Sequence, residues 1–129
     1  MSGTVSAAAE RLVSAFAAGR VEDYFSCFAA DATFVFHTTP DRLESLDAYR
    51  RLWREWERED GFRVVSCTSS NPLVTQLGED VAVFAHDVAT TVSTSAGVQS
   101  LRERETIVFA RREGEWVAVH EHLSPAPGR

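Results

Sequence analysis

The groups best suited to moving a proton near neutral pH lie at the end of the chain, in the strand-like stretch Gly114 to Ser124, which reads Gly-Glu-Trp-Val-Ala-Val-His-Glu-His-Leu-Ser. Side chains alternate across a strand with a period of two, so Trp116, Ala118, His120 and His122 share one face while Val117, Val119, Glu121 and Leu123 share the other. A two-residue turn at Glu113-Gly114 would set Phe109 opposite Ala118, Ile107 opposite His120 and Glu105 opposite His122. A similar turn at Ala96-Gly97 would add Phe84 opposite Phe109, His86 opposite Ile107 and Val88 opposite Glu105.

A face of this make-up, mostly apolar with a few converging polar groups, is suited to binding a small molecule. The expected working groups are His122, polarised by Glu105, with His120 as partner acid or base. His86, Phe36, Tyr24, Trp53, Phe84, Ile107 and Phe109 are the expected substrate-binding wall. His37 falls on the opposite phase of its strand and is expected to matter little. The bland alternative stands beside this reading: each histidine could be a satisfied core or rim group, and Glu105 could be an ion-pair partner of Arg102 or Arg104. A three-residue loop at either turn would also change the phase. The histidines with Glu105 could in principle hold zinc or iron, but there is no His-x-x-x-His helix and no cysteine ligand set. No metal and no cofactor are expected. No serine or cysteine stands in a nucleophile-elbow or Cys-His context.

The elements that must position these groups follow in order. Val5, Ala9, Leu12, Val13 and Phe16 recur at helical spacing after Thr4 or Ser6, with Gly19 placed to end the helix. A short helix follows, with Val21, Tyr24, Phe25 and Phe28 on one face, and then a strand over Thr33 to His37. Ser45 can cap a third helix whose stripe is Leu46, Tyr49, Leu52, Trp53 and Trp56, ending at Gly61; ordinary core is the favoured reading of that stripe. Strands then run from Phe62 to Ser69, past a break or bulge at Asn71-Pro72, from Leu73 to Leu77, from Val81 to Thr94 and from Gln99 to Arg111. The last three strands should form an antiparallel meander, and only the tail Pro125 to Arg129 looks frayed. The row Val81, Val83, Ala85, Val108, Ala110, Val117 and Val119 falls on the face away from the pocket, which predicts a homodimer through that face.

Composition narrows the function classes. The 129 residues suit one domain spanning 1–129, and 44% apolar with 25% charged residues is ordinary for a globular fold. A net charge of −6 disfavours nucleic acid, because nothing offsets the repulsion from phosphates. No run approaches a membrane span and the first residues lack a signal peptide's apolar core, so neither a membrane nor secretion is expected. Cys27 and Cys67, 40 positions apart, fit reduced thiols, which predicts a cytoplasmic protein.

The order of helix, short helix, strand, third helix and strand meander resembles the SnoaL-like branch of the nuclear transport factor 2-like superfamily. The most specific matches are Phe28-Ala29-Ala30-Asp31-Ala32-Thr33 and the closing Gly114 to Ser124. That resemblance implies an α+β fold: a cone-shaped half-barrel of a curved, mainly antiparallel sheet packed with three helices from the N-terminal half. It also implies a small-molecule pocket in the cone's mouth and a homodimer. Ketosteroid isomerase, of the same superfamily, uses a tyrosine on the first helix and a carboxylate base on the first strand; here those positions fall on Leu12 and Phe36, so a steroid isomerase is disfavoured. The closing His-x-His-x-Ser is similar both to polyketide-pathway members of the SnoaL-like branch and to the association domain of calcium/calmodulin-dependent kinase. Two readings follow: a cofactor-independent isomerase, cyclase or hydratase acting on a hydrophobic, polyketide-like substrate, or a non-catalytic binding or dimerisation module.

Overall fold

A computed structural model describes residues 3–127; Gly128 and Arg129 of the expected frayed tail lie outside the described residues. Three helices, α1 (Val5–Ala17), α2 (Val21–Phe25) and α3 (Leu46–Asp60), alternate with and then give way to five strands. The strands are β1 (Phe28–Phe36), β2 (Arg63–Gln76), β3 (Val81–Thr94), β4 (Gly97–Arg112) and β5 (Glu115–Pro125). They form one curved sheet in the order β1-β5-β4-β3-β2, open between β1 and β2. All neighbours are antiparallel except β1 and β5, which run parallel because the chain between them must cross the domain.

Local chemistry sets the ends of the helices. Thr4 caps α1 through its Oγ1, which accepts from the Ala7 backbone N at 3.1 Å, and Ser45 does the same for α3 with Ala48 at 3.0 Å. Gly61 closes α3 in the left-handed region at φ 63°, where a side chain would be strained. α2 is shorter than its apolar spacing suggests. Phe28 already begins β1, five residues earlier than expected, and Cys27 accepts a backbone hydrogen bond from Ala118 of β5 at 2.9 Å. The strand absorbs Asp31 through an irregularity between Phe28 and Thr33. Of the break or bulge expected at Asn71-Pro72 the structure forms the bulge, inside a continuous β2, with Asn71 at φ 52°.

α1 and α3 pack on one face of the sheet, and the core between the layers is largely aromatic. Tyr24, Phe25, Phe28, Phe34, Tyr49 and Trp53 pack edge-on or tilted with centroids 4.6–6.5 Å apart. Such offset arrangements suit the ring quadrupoles and add to the area buried. Among the described residues no helix is long and apolar enough to cross a membrane. Both cysteines are free.

Two turns decide which side chains enter the cone. Glu113 and Gly114 both have positive φ, 53° and 80°, and join Arg112 to Glu115 as the expected two-residue turn. The β3–β4 turn is Ser95-Ala96, with Thr94 opposite Gly97, one residue earlier than Ala96-Gly97. Every pairing across it therefore moves by two, which preserves the face: His86 lies opposite Glu105, Phe84 opposite Ile107 and Val88 opposite Glu103. In β5 the outcome differs. Phe109 pairs with Ala118 but Val108 pairs with His120, so Val119 is an extra residue and the phase inverts beyond it.

Candidate functional site

The inversion at Val119 turns Glu121 and Leu123 into the cone and His120 and His122 out of it. Glu121 is 4% exposed, whereas His122 is exposed and His120 half-buried. The expected Glu105–His122 pair is therefore not formed: Glu105 lies opposite Leu123 in the ladder, and its imidazole partner is His86 on β3. The His120 Nδ1 instead meets the Thr33 hydroxyl at 2.7 Å on the outer face, and the two outer rings stand 6.1 Å apart.

Inside, a continuous hydrogen-bonded chain crosses four strands and two helices. The Ser69 hydroxyl and His86 Nδ1 are 2.6 Å apart, and His86 Nε2 lies 2.6 Å from Glu105 Oε1. With the His86 side chain fully buried, the arrangement that satisfies both rings atoms has Ser69 donating to Nδ1 and Nε2–H donating to Glu105. Glu105 and Glu121 share a hydrogen bond, and Tyr24 donates to Glu121 Oε1 at 3.3 Å. Its oxygen is then left to accept from Tyr49, 2.9 Å away.

Electrostatics assigns the protons. Burial pushes Glu121 well above the usual carboxylate range, and the Glu105 charge together with the hydrogen bond between them pushes it further. Burial also raises Glu105, but its hydrogen bond from Glu121 works the other way by favouring the ionised form. Two carboxyls this close in a low-dielectric site cannot both ionise at low cost, so Glu121 holds the shared proton and Glu105 carries the charge. Burial lowers His86 and holds its ring neutral, against the smaller upward pull of the acidic neighbours Glu121 and Asp87. Tyr24 and Tyr49 are raised well above the phenol range, first by burial and then by the Glu121 charge, and remain proton donors.

This chain forms one side of a cavity of about 370 Å³. Its polar lining includes Glu103, Glu105, Glu121, Tyr24, Tyr49 and, towards one end of α3, Asp60, and its apolar lining includes Phe16, Phe36, Trp53, Trp56 and Phe62. At the rim His37 Nε2 lies 2.5 Å from Glu103 Oε2, so the histidine expected to be idle is tied to a cavity carboxylate.

Of the residues expected to line the site, Glu105, Tyr24, Phe36 and Trp53 do so. His86 stands behind Glu105 rather than in the wall, Ile107 and Phe109 are core residues at 0% and 1% exposure, and Phe84 faces a second groove beside α1. Glu103, Glu121 and Tyr49 were not anticipated. For Glu103 the signal was present: Glu103, Glu105, Ile107 and Phe109 follow one another at a period of two. For Glu121 it was hidden by the bulge. Among the described residues no group of three or more histidine, cysteine, aspartate or glutamate side chains is arranged to hold a metal ion.

A family model described as a SnoaL-like domain matches residues 5–127. The delta subunit of calcium/calmodulin-dependent protein kinase type II from Oryctolagus cuniculus is 28% identical over 120 residues, covering 92% of this chain and 22% of that protein. The chain thus spans about a fifth of that curated relative's length. Among solved structures, an NTF2-like protein of unknown function in nutrient uptake from Rhodospirillum rubrum superposes with a TM-score of 0.82 at 21% identity, covering 97% of this chain and 100% of that one. The association domain of the Caenorhabditis elegans kinase, C. elegans CaMKII, gives 0.70 at 25% identity over 93% and 92% of the two chains. A ketosteroid isomerase-like protein from Erwinia carotovora atroseptica gives 0.78 at 16% identity over 96% and 95%. The fold is the NTF2-like cone.

Proposed function

This chain belongs to the SnoaL-like domain family, and on that premise we propose that it is a small-molecule pocket protein whose working groups are the Glu105–Glu121 pair rather than the histidines of β5. The observation that carries this reading is a pair of buried carboxyls, Glu105 and Glu121, lining one apolar-walled cavity, and the upward push of burial on both, stronger for Glu121, supports one proton shared between them. Such a pair can take a proton from one atom of a bound molecule and return one to another, the requirement of an isomerisation, cyclisation or hydration. Proton transfer by positioned groups of this kind contributes roughly 10²–10⁴-fold to a rate. Glu105 is the base and Glu121 the acid, while Tyr24 and Tyr49 act as positioning residues that hold Glu121 through the hydrogen-bonded chain. His86 and Ser69 act as positioning residues by holding Glu105 in one orientation. The walls suit a hydrophobic, polyketide-like substrate, and no cofactor is invoked.

Solvent deuterium incorporation at the carbon beside the carbonyl of a bound cyclic ketone tests the reading. Exchange should be abolished by Glu105→Gln and survive His122→Ala. Exchange lost in His122→Ala and kept in Glu105→Gln would reject it.

A second reading, assembly, is favoured by the similarity to the kinase association domains and by the outer face. There Val83, Ala85, Val108, Ala110, Val117 and Val119 remain half-buried with no layer over them in one chain. We propose a homodimer through this face, with His120 and His122 at its margin. Val108→Arg, at the middle of the row opposite Val83 and His120, should convert a dimer to a monomer in sedimentation. A monomer in the unmodified protein would sink that proposal without touching the pocket.

A further inference from the structure

The lining of the cavity is acidic. Asp60, Glu103, Glu105 and Glu121 line it, and among the described residues no arginine does, although the chain has no lysine and arginine is its whole permanent positive charge. Two imidazoles reach these carboxylates. His86 uses both nitrogens within the internal network and is held neutral by burial. His37 binds one oxygen of Glu103 from the rim. The other Glu103 oxygen has no hydrogen-bond partner among the described residues, although Glu103 is only 4% exposed and lines the cavity. Among the described residues no fully buried side-chain oxygen lacks a partner, so this one opens into the cavity, and a molecule that fills the cavity leaves it unsatisfied at a cost unless it brings a donor.

The walls add a second, independent preference. Trp53 and Trp56, with centroids 6.1 Å apart, and Phe62, 5.1 Å from Trp53, offer ring surfaces whose faces are electron-rich. An anion would meet both the carboxylates and these faces, and a neutral apolar molecule would leave the Glu103 oxygen unsatisfied. We propose that the cavity takes an apolar molecule bearing a cationic nitrogen, an organic amine or ammonium, with its apolar body among the aromatic walls and its head at Glu103. This rests on the reading of the cone as a small-molecule pocket and adds the charge of what enters it. The head at Glu103 leaves the Glu105–Glu121 pair free to act on the body of the same molecule.

Phenethylamine, phenethyl alcohol and phenylacetate share an apolar body and differ in the head, so NMR titration of the intact chain with each isolates the charge. The amine should bind about tenfold more tightly than the alcohol, with phenylacetate weakest. Glu103→Gln should remove that preference, bringing the amine down to about the alcohol's affinity. His37→Ala, at an exposed position, is the second variant: releasing the other Glu103 oxygen should tighten the amine several-fold. Equal affinities for amine and alcohol, or a preference for phenylacetate, would overturn the inference while leaving the pocket reading standing. An amine preference that survives Glu103→Gln and ignores His37→Ala would overturn the placement of the head. Failure of all three compounds to perturb any cavity residue would remove both the inference and the pocket reading beneath it.

Discussion

On β5, Glu121 is 4% exposed among carboxyls and phenols, while His120 and His122, its immediate neighbours, stand on the opposite face of the sheet. The inner group belongs to a chain of hydrogen bonds reaching from Ser69 to Tyr49, in which each polar atom depends on the next. Among the described residues the outer pair has one short side-chain contact, His120 to Thr33, and His120 is lowered by partial burial and then by its neighbour His122. Residue type alone would rank the histidines as the acid–base groups. Desolvation reverses that ranking, because it favours the neutral carboxyl and lets Glu121 keep a proton that an exposed glutamate would have lost.

The comparison breaks most sharply at His86. Removing its ring leaves the Glu105 charge and the Ser69 hydroxyl without their partner in a closed site and opens a void, so His86→Ala should cost about 3 kcal/mol in denaturant unfolding. A loss below about 1 kcal/mol would mean that the inner network is not cooperative.

Glu121→Gln sharpens it through pH. A carboxyl raised on folding favours the fold fully below its unfolded pKa, 4.5 for a free glutamate, and that contribution is lost as pH climbs through the raised folded value. His86 has the opposite sign, since its lowered ring favours the fold above 6.5 and loses that contribution as pH falls below it. The glutamine amide can donate to Glu105 and its oxygen can accept from Tyr24, reproducing the protonated acid without a titration. The variant should therefore be more stable than the parent above neutral pH and gain nothing below 4.5, read from melting temperature against pH. Parallel curves for the two proteins would contradict the assigned proton.

His122→Ala is the smallest expected effect. An exposed side chain outside any buried network should shift stability by no more than about 0.5 kcal/mol. A larger loss that also depends on protein concentration would move His122 from the margin of a dimer contact to its centre.

Much of the architecture was legible because it rests on local rules. Thr4 and Ser45 cap, Gly61 ends a helix in a conformation few other residues accept, and Glu113-Gly114 forms a tight turn from two residues at positive φ. Glu105 was placed inward by alternation along β4 despite a turn misjudged by one residue, because the resulting shift of two leaves the face unchanged. Glu103 was equally legible by the same alternation and was overlooked only because no partner in the sequence pointed to it.

The phase of β5 beyond Val119 belongs to the tertiary structure alone. Val-His-Glu-His-Leu satisfies either phase, since each puts both apolar and ionisable side chains on a face, so period two carries no preference between them. The choice is made where β5 lies between an antiparallel β4 and a parallel β1 in a sheet that must curve, and one extra residue at Val119 accommodates both partners. That residue exchanges a histidine pair for Glu121 at the floor of the cone. The chain itself determines that helices cover one face of a curved sheet and that the cone holds titratable groups; which of them faces the cavity depends on two neighbouring strands whose pairing no local pattern records.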